Sequence, residues 1–298
     1  MMLRRASFFV AVAVLLMSGT SWAQEKSGKS RASSPAASPP VASPPQLEDD
    51  WKGLAQVPTD EQRVLSLKEK SGFGLSLHHQ LAENAGACSE QLISAQYRQD
   101  IVKQFDASAH FDNCAFEESF AALDREIAQI DKLLANPTNK SAAAREAMSH
   151  LGRMLHAAQD FYAHSNWVEL QHTAGAAFES GNTSQALALV VPVWTEAGRK
   201  RVRETKNLVS GYVWWEPNQN KCATTYLTHS ILAKDSPSTQ HGKAQLHKWK
   251  RSGFSAAFTL AQMATGSLVQ WAYARWPLLA QECGNDLYVM VTADKRPE

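Results

Sequence analysis

The chain has 298 residues, and its 30 lysines and arginines against 29 aspartates and glutamates leave a formal net charge of +1. That balance predicts neither a polyelectrolyte surface for nucleic acid nor a strong pull towards an anionic bilayer. Beyond the N-terminus no segment has the roughly twenty apolar residues that spanning a bilayer requires, which argues against a membrane-embedded body.

The first 24 residues read MMLRRASFFVAVAVLLMSGTSWAQ. Arg4 and Arg5 precede an apolar run from Phe8 to Met17, and Ser21 and Ala23 suit the −3 and −1 positions of a signal-peptidase site. A signal peptide over 1–23 and export to a periplasm or the extracellular space are therefore expected. From 24 to 50 the composition turns to Ser, Ala, Pro and Lys, as in SRASSPAASPPVASPPQ, which has too little apolar surface to offset ordering entropy. This stretch is expected to be a disordered linker, followed by one helical domain over 51–298.

Within that domain, Phe120, Leu123, Ile127, Ile130, Leu133 and Leu134 recur at helical spacing in a segment over 119–137 that stops at Pro137. The next helix has Ser141 as its expected N-cap, and Met148, Leu151, Leu155, Ala158 and Tyr162 form its apolar stripe. A third helix is expected over 184–209, bent at Pro192, and a fourth over 253–276, apolar nearly all round and so central. Only DLYVMVTA at 286–293 looks strand-like. The expected class is all-α, a single multi-helix domain.

The second of these helices carries HAAQDFYAHSNW at 156–167. Four residues of an α-helix turn about 400°, so His156, Asp160 and His164 drift by only about 40° per step and share one face. Imidazole and carboxylate are the donors Zn²⁺ takes where cysteine is absent. The same three residues could also be polar side chains that a helix exposes, and the spacing alone does not decide between these readings.

The longer stretch LGRMLHAAQDFYAHSNWVEL, 151–170, resembles the signature of the Het-C-like proteins and, more distantly, the zinc-dependent phospholipase C and P1 nuclease superfamily. AHFDNCAFEES at 109–119 and HSILAKDSPSTQHGKA at 229–244 look like the segments on either side of that helix, so the resemblance spans about 75–270. It implies the helical fold of that superfamily and metal binding by His156, Asp160, His164 and His110, with Asp160 bridging two ions. Asp106 would bind metal and act as base, and His79 or His78 would be the early histidine. His229 and His241 match loosely.

The superfamily's N-terminal Trp ligand has no counterpart here, since cleavage would leave Gln24 first, and Trp51 would need a second cut. The implied cofactor is therefore between one and three zinc ions. The implied activity is that of a secreted phosphodiester hydrolase, phospholipase C-like, in which metal-activated water attacks phosphorus with Asp106 and Asp160 as catalytic residues. Its partner would be a phospholipid or another phosphodiester in preference to nucleic acid, with peripheral contact to a membrane. The alternatives are a P1-like nuclease and a non-catalytic Het-C-like interaction protein whose zinc is structural.

Asp112, Asn113, Asn166 and Glu169 are candidates for orienting the histidines, or equally turn, cap and solvated residues. Trp167, Tyr212, Trp214 and Trp215 could wall a substrate pocket or serve as core, and HKWKR at 247–251 is a small basic patch. Four cysteines in an exported chain permit two disulfides. Sequence proximity favours Cys88 with Cys114 and Cys222 with Cys283, and the lack of CxxC spacing argues against a thiolate zinc site.

Overall fold

Helical periodicity becomes helix throughout the computed structural model, which describes residues 74–82, 87–179, 181–213, 221–222 and 227–284. In chain order these are α1 (Gly74–Ala82), α2 (Ser89–Val102), α3 (Phe116–Ala135), α4 (Lys140–His164), α5 (Trp167–Thr173), α6 (Thr183–Leu189), α7 (Glu196–Glu204), α8 (His229–Leu232), α9 (Gln240–Lys243), α10 (Gly253–Arg275) and α11 (Pro277–Cys283). The sheet among the described residues is a two-stranded ribbon, Gln245–Leu246 antiparallel to Arg251–Ser252. The expected all-α class holds. All described residues belong to one compact unit, Leu47–Glu298. The expected signal peptide, linker and 286–293 strand, and Trp51, Trp214 and Trp215, lie outside the described residues. Among the described helices none is long and apolar enough to cross a membrane.

The centre of the fold is α4, which packs against α2, α3, α10 and α11. At about 1.5 Å per residue its 25 residues span roughly 37 Å. From Met154 to Ser165 every side chain is buried, so the helix has no solvent face over its C-terminal three turns. The apolar α10 packs directly on it, so the fold has two central helices, one of them carrying polar groups.

Local chemistry sets the ends. Ser141, the expected cap, instead accepts a hydrogen bond from Arg145 within the helix, while Asn139 Oδ1 accepts from Ala142 N at 3.0 Å and caps α4. The helix expected over 184–209 is broken into α6 and α7. Pro192 disfavours helical backbone in the residue before it, and Thr195 then caps α7 by accepting from Gly198 N.

The disulfides join Cys88 to Cys283 and Cys114 to Cys222, which overturns the pairing expected from proximity. The start of α2 and the end of α11 meet because both helices lean on α4, and this brings together cysteines 195 residues apart. Two disulfides fit an oxidising compartment.

Gly152 lets α2 approach α4 closely: a Cβ there would sit 2.4 Å from the Leu92 carbonyl oxygen. Gly152→Ala would gain about 1 kcal/mol of helix propensity but would force two packed helices apart, at a cost of about 1–3 kcal/mol. The carbonyl is backbone and cannot rotate away, so the clash wins. The variant is expected to unfold at lower denaturant with an unchanged m-value, as chemical denaturation would read.

Candidate metal centre

The polar face of α4 does not reach solvent; it meets other polar groups brought by α1, α2 and three loops. His156, Asp160 and His164 are 0%, 1% and 2% exposed, and one turn links each to the next. Burying an ionised carboxylate is costly unless charged or hydrogen-bonding partners surround it. Asp160 has four imidazoles around it. Its Oδ2 lies 2.8 Å from His110 Nδ1 and 3.0 Å from His156 Nε2, and its Oδ1 lies 3.3 Å from His78 Nε2 and 3.8 Å from His164 Nε2.

Each partner reaches Asp160 for a local reason. Asp106 Oδ1 accepts from Ser108 N and opens a 3-10 turn over Ala107–Ala109. The chain then passes through left-handed backbone at Phe111, Asn113 and Cys114, costly for residues with a Cβ. This sends Phe111 into an aromatic group with Phe116, Phe120 and Phe161 and leaves His110 and Asp112 facing α4. The Cys114–Cys222 disulfide and the bonds from Asn113 N to Gly211 O and from Val213 N to Asn113 Oδ1 tie this loop to the 209–213 segment. Gly211 matters there, because a Cβ would come within 2.6 Å of the His229 Cα.

On the far side of Asp160 a second group forms. His164 Nε2 lies 3.2 Å from Asp235 Oδ1, and His229 lies 3.0 Å from Asp112 through Nδ1 and 3.4 Å from Asp235 through Nε2. Lys234 holds this segment in place. Its backbone N–H donates to Ala163 O, and its wholly buried ammonium donates to Ser165 O at 2.7 Å and lies 3.2 Å from Glu169. Glu169 also accepts from His241 Nδ1, so Glu169 and His241 brace the centre from outside it.

Whether these groups suit a metal ion can be judged from their donor atoms. Among the described residues, His78, Asp100 and His156 form one set, His110, His156 and Asp160 a second, and Asp112, His164 and His229 a third, each with ligand atoms within 4.8 Å of one another. Asp160 Oδ1, His164 Nε2 and Asp235 Oδ1 are buried without a hydrogen bond although they lie close together, so these atoms converge without donating to one another. Three rings are fixed from behind: His78 Nδ1 donates to Gln159 Oε1, His110 Nε2 to Lys103 O and His164 Nδ1 to His110 O. An outward ring N–H on an oxygen, with the other nitrogen aimed at a carboxylate centre, is how metal-binding histidines are oriented. The residues fit one or more divalent ions.

Charge in the metal-free group follows the same contacts. Burial works against an imidazolium at His78, but Asp160, Asp100 and Gln159 together outweigh it and raise His78 to about 9. Burial likewise opposes His229, and Asp112 together with Asp235 raises it to about 9. His164 stands well above its ordinary value, against its burial, through Asp160, Asp235 and Asp112. Burial holds His156 below it. Asp160 and Asp235 are held low by these imidazoles despite burial.

Of the residues expected from the sequence, the structure gathers His110, His156, Asp160 and His164. His78 enters the group, whereas His79 is exposed and lies edge-on to Tyr97 at 6.4 Å. Asp106 stands apart, its carboxylate engaged by Ser108 and Lys103. His229 joins the second group, and His241 bonds to Glu169 beside it. Trp167 is fully buried with its Nε1 on Leu189 O, so it is core, not a pocket wall. Asn166 follows the capping residue Ser165 and binds the 207–209 backbone. Trp249, in the expected basic patch, is also buried, its Nε1 on Ala176 O. Sequence reasoning missed Asp100 and Asp235 and treated Asp112 only as a support. The one available signal for Asp100 was the polar run Gln96, Gln99 and Asp100 on a face of α2 that also carries Leu92 and Ala95.

A raised histidine stabilises the fold fully below its unfolded value and loses that contribution as pH rises through its folded one. With chelator present, the melting temperature is therefore expected to fall between pH 6.5 and about 9 as His78 and His229 lose their protons. Zinc should abolish that decline, because it binds the neutral rings. Calorimetry across this range, with chelator and with zinc, checks both.

Residues 77–188 match the family described as the VWA7 N-terminal domain, a stretch that includes most of α1 and all of α2 to α5, and so His78, Asp100, His110, Asp112, His156, Asp160 and His164. No curated protein and no solved structure matches the chain.

Proposed function

We propose that the protein is an exported zinc-dependent phosphodiester hydrolase of phospholipase C-like type. The observation that carries this reading is the buried convergence of imidazole and carboxylate atoms on Asp160, three of which lack hydrogen-bond partners. The resemblance of 151–170 to the Het-C-like proteins and the phospholipase C and P1 nuclease superfamily supports it, and the signal-like N-terminus and two disulfides support export.

His78, Asp100, His110 and His156 would hold one ion, and Asp112, His164, His229 and Asp235 another, with Asp160 between them. Zinc suits this set of imidazoles and carboxylates. When bound, such ions supply positive charge for the non-bridging oxygens of a phosphodiester and bring the pKa of water towards 7. The chain's own part is to orient the rings and to present a proton acceptor at the mouth of the group. Asp106, engaged outside the cluster, gives up that role to Asp100, whose side chain is 17% exposed against 1% for Asp160 and lies 3.5 Å from His156 Nε2. His229 is equally open at 17%, so solvent reaches the group at its edges.

The depth of burial favours a second reading, a structural zinc clamp in a secreted interaction protein, since structural sites are closed by protein ligands and catalytic ones keep a place for water. Elemental analysis and hydrolysis of bis(p-nitrophenyl) phosphate and phosphatidylcholine, with and without chelator, separate the two. The hydrolase reading expects bound zinc, chelator-sensitive turnover, and a loss of at least about a hundredfold in rate for Asp160→Asn. The clamp reading expects zinc, no turnover and a strongly destabilised His156→Ala. Zinc-free, inactive protein whose His156→Ala variant melts at the parent temperature would sink both.

For Asp100→Asn the hydrolase reading expects folding to persist with a marked loss of kcat and a shifted acid limb of the pH–rate profile. A rate and profile equal to the parent's would remove Asp100 from the proton-accepting role.

A further inference from the structure

We infer that the segment 101–105 docks the protein on the surface of an anionic phospholipid bilayer, with the mouth of the candidate metal centre turned towards the lipid. This deepens the proposed phosphodiester chemistry by naming the setting of its substrate, and it rests on that reading for the substrate alone.

The large apolar side chains exposed among the described residues are Ile101, Val102 and Phe105, at 60%, 69% and 51%, and they fall within five residues of one another. Scattered singly, such residues need no explanation; gathered at one helix end, they mark a contact surface. Ile101 and Val102 close α2, and Phe105 follows in the turn that leads to Asp106.

The chemistry around the tip is cationic and wet. Arg98, one turn earlier on α2, is exposed and makes no ion pair among the described residues, and Lys103 sits between the apolar side chains. Arg98, Lys103 and Arg153 line a groove of about 300 Å³ beside it. The acidic groups facing these cations are Asp106, 3.3 Å from Lys103, and Glu126, 2.9 Å from Arg153. Both pairs are partly solvated, so the cations can turn to phosphate at small cost. Apolar side chains beside basic ones are the pattern of interfacial membrane contact. A stable protein interface engages about 20–30 residues a side, far more than this tip offers.

The tip is also joined to the site. Ile101 follows Asp100, the open carboxylate of the group, and the Lys103 carbonyl accepts from His110 Nε2 at 3.2 Å. One stretch of backbone therefore both walls the metal centre and presents the apolar side chains.

The full chain, in chelator, would be floated with vesicles of phosphatidylcholine alone and of phosphatidylcholine mixed with phosphatidylglycerol, and amide exchange would be followed over 98–106. The expected result is flotation with the mixed vesicles and at least threefold slower exchange in that stretch. An Ile101→Ser, Val102→Ser, Phe105→Ser variant should lose both, and Arg98→Glu should weaken binding at least threefold. An unchanged melting temperature and zinc content would show that these variants fold. Failure to float, flotation without protection of 98–106 (binding through the N-terminus instead), or protection that persists in the triple variant would overturn the inference. So would a tip that self-associates in solution and is lost from that contact in the triple variant, which would assign it to a protein partner. Flotation in chelator together with no hydrolysis by the zinc-loaded protein would leave docking intact and count against the hydrolase; hydrolysis of soluble diester by the zinc-loaded protein without flotation would do the reverse.

Discussion

The buried carboxylate of Asp160 is the constraint around which this protein is arranged. A charge this deep in a helical core is tolerated only if partners surround it. Here His156 and His164 come from one helical turn on either side, His78 from α1 and His110 from a loop. Much of the remaining architecture delivers those partners. The close approach at Gly152 brings α2, with Gln96, Gln99 and Asp100, against α4, and the left-handed residues after His110 turn His110 towards the same carboxylate and Asp112 towards His164 and His229.

The outer layer is as specific as the inner one. Gln159, one residue before Asp160, accepts from His78 and from Gln96 and donates to Thr265 on α10, so it ties α1, α2 and α10 to the central helix through hydrogen bonds. Lys234 performs the corresponding task on the other side: a buried ammonium fastens the chain beside Asp235 to the end of α4, with Glu169, itself held by His241, balancing its charge. Partial satisfaction of such a network would be worse than an apolar core. Three of the buried atoms left without partners, Asp160 Oδ1, His164 Nε2 and Asp235 Oδ1, therefore stand out: they are gathered where His164 and Asp235 face Asp160, the place where a cation would fit.

The two disulfides bear on different parts of this arrangement. Cys88–Cys283 joins the ends of two helices that pack on α4 and closes a loop of most of the domain. Cys114–Cys222 clamps the loop that carries Asp112 to the segment leading towards His229. The second bridge therefore supports the half of the centre built mainly from loops, where helix geometry alone would leave ligand positions free.

Residue type and spacing by themselves determined the helical class, the extents of α3, α4 and α10 to within a few residues, and the shared face of His156, Asp160 and His164, because all of these depend on contacts three or four residues apart. HAAQDFYAHSNW could be read as a ligand face for that reason. The pairing of the cysteines, the choice of His78 over its neighbour His79, the exclusion of Asp106 and the entry of Asp100, Asp112, His229 and Asp235 were decided only in three dimensions. Adjacent residues on a helix point about 100° apart, so which of two histidines faces the core depends on how α1 sits against α2 and α10. Asp235 lies 75 residues beyond Asp160 and meets His164 only because a buried lysine holds its loop against the end of α4. Local periodicity carries no record of such distant packing.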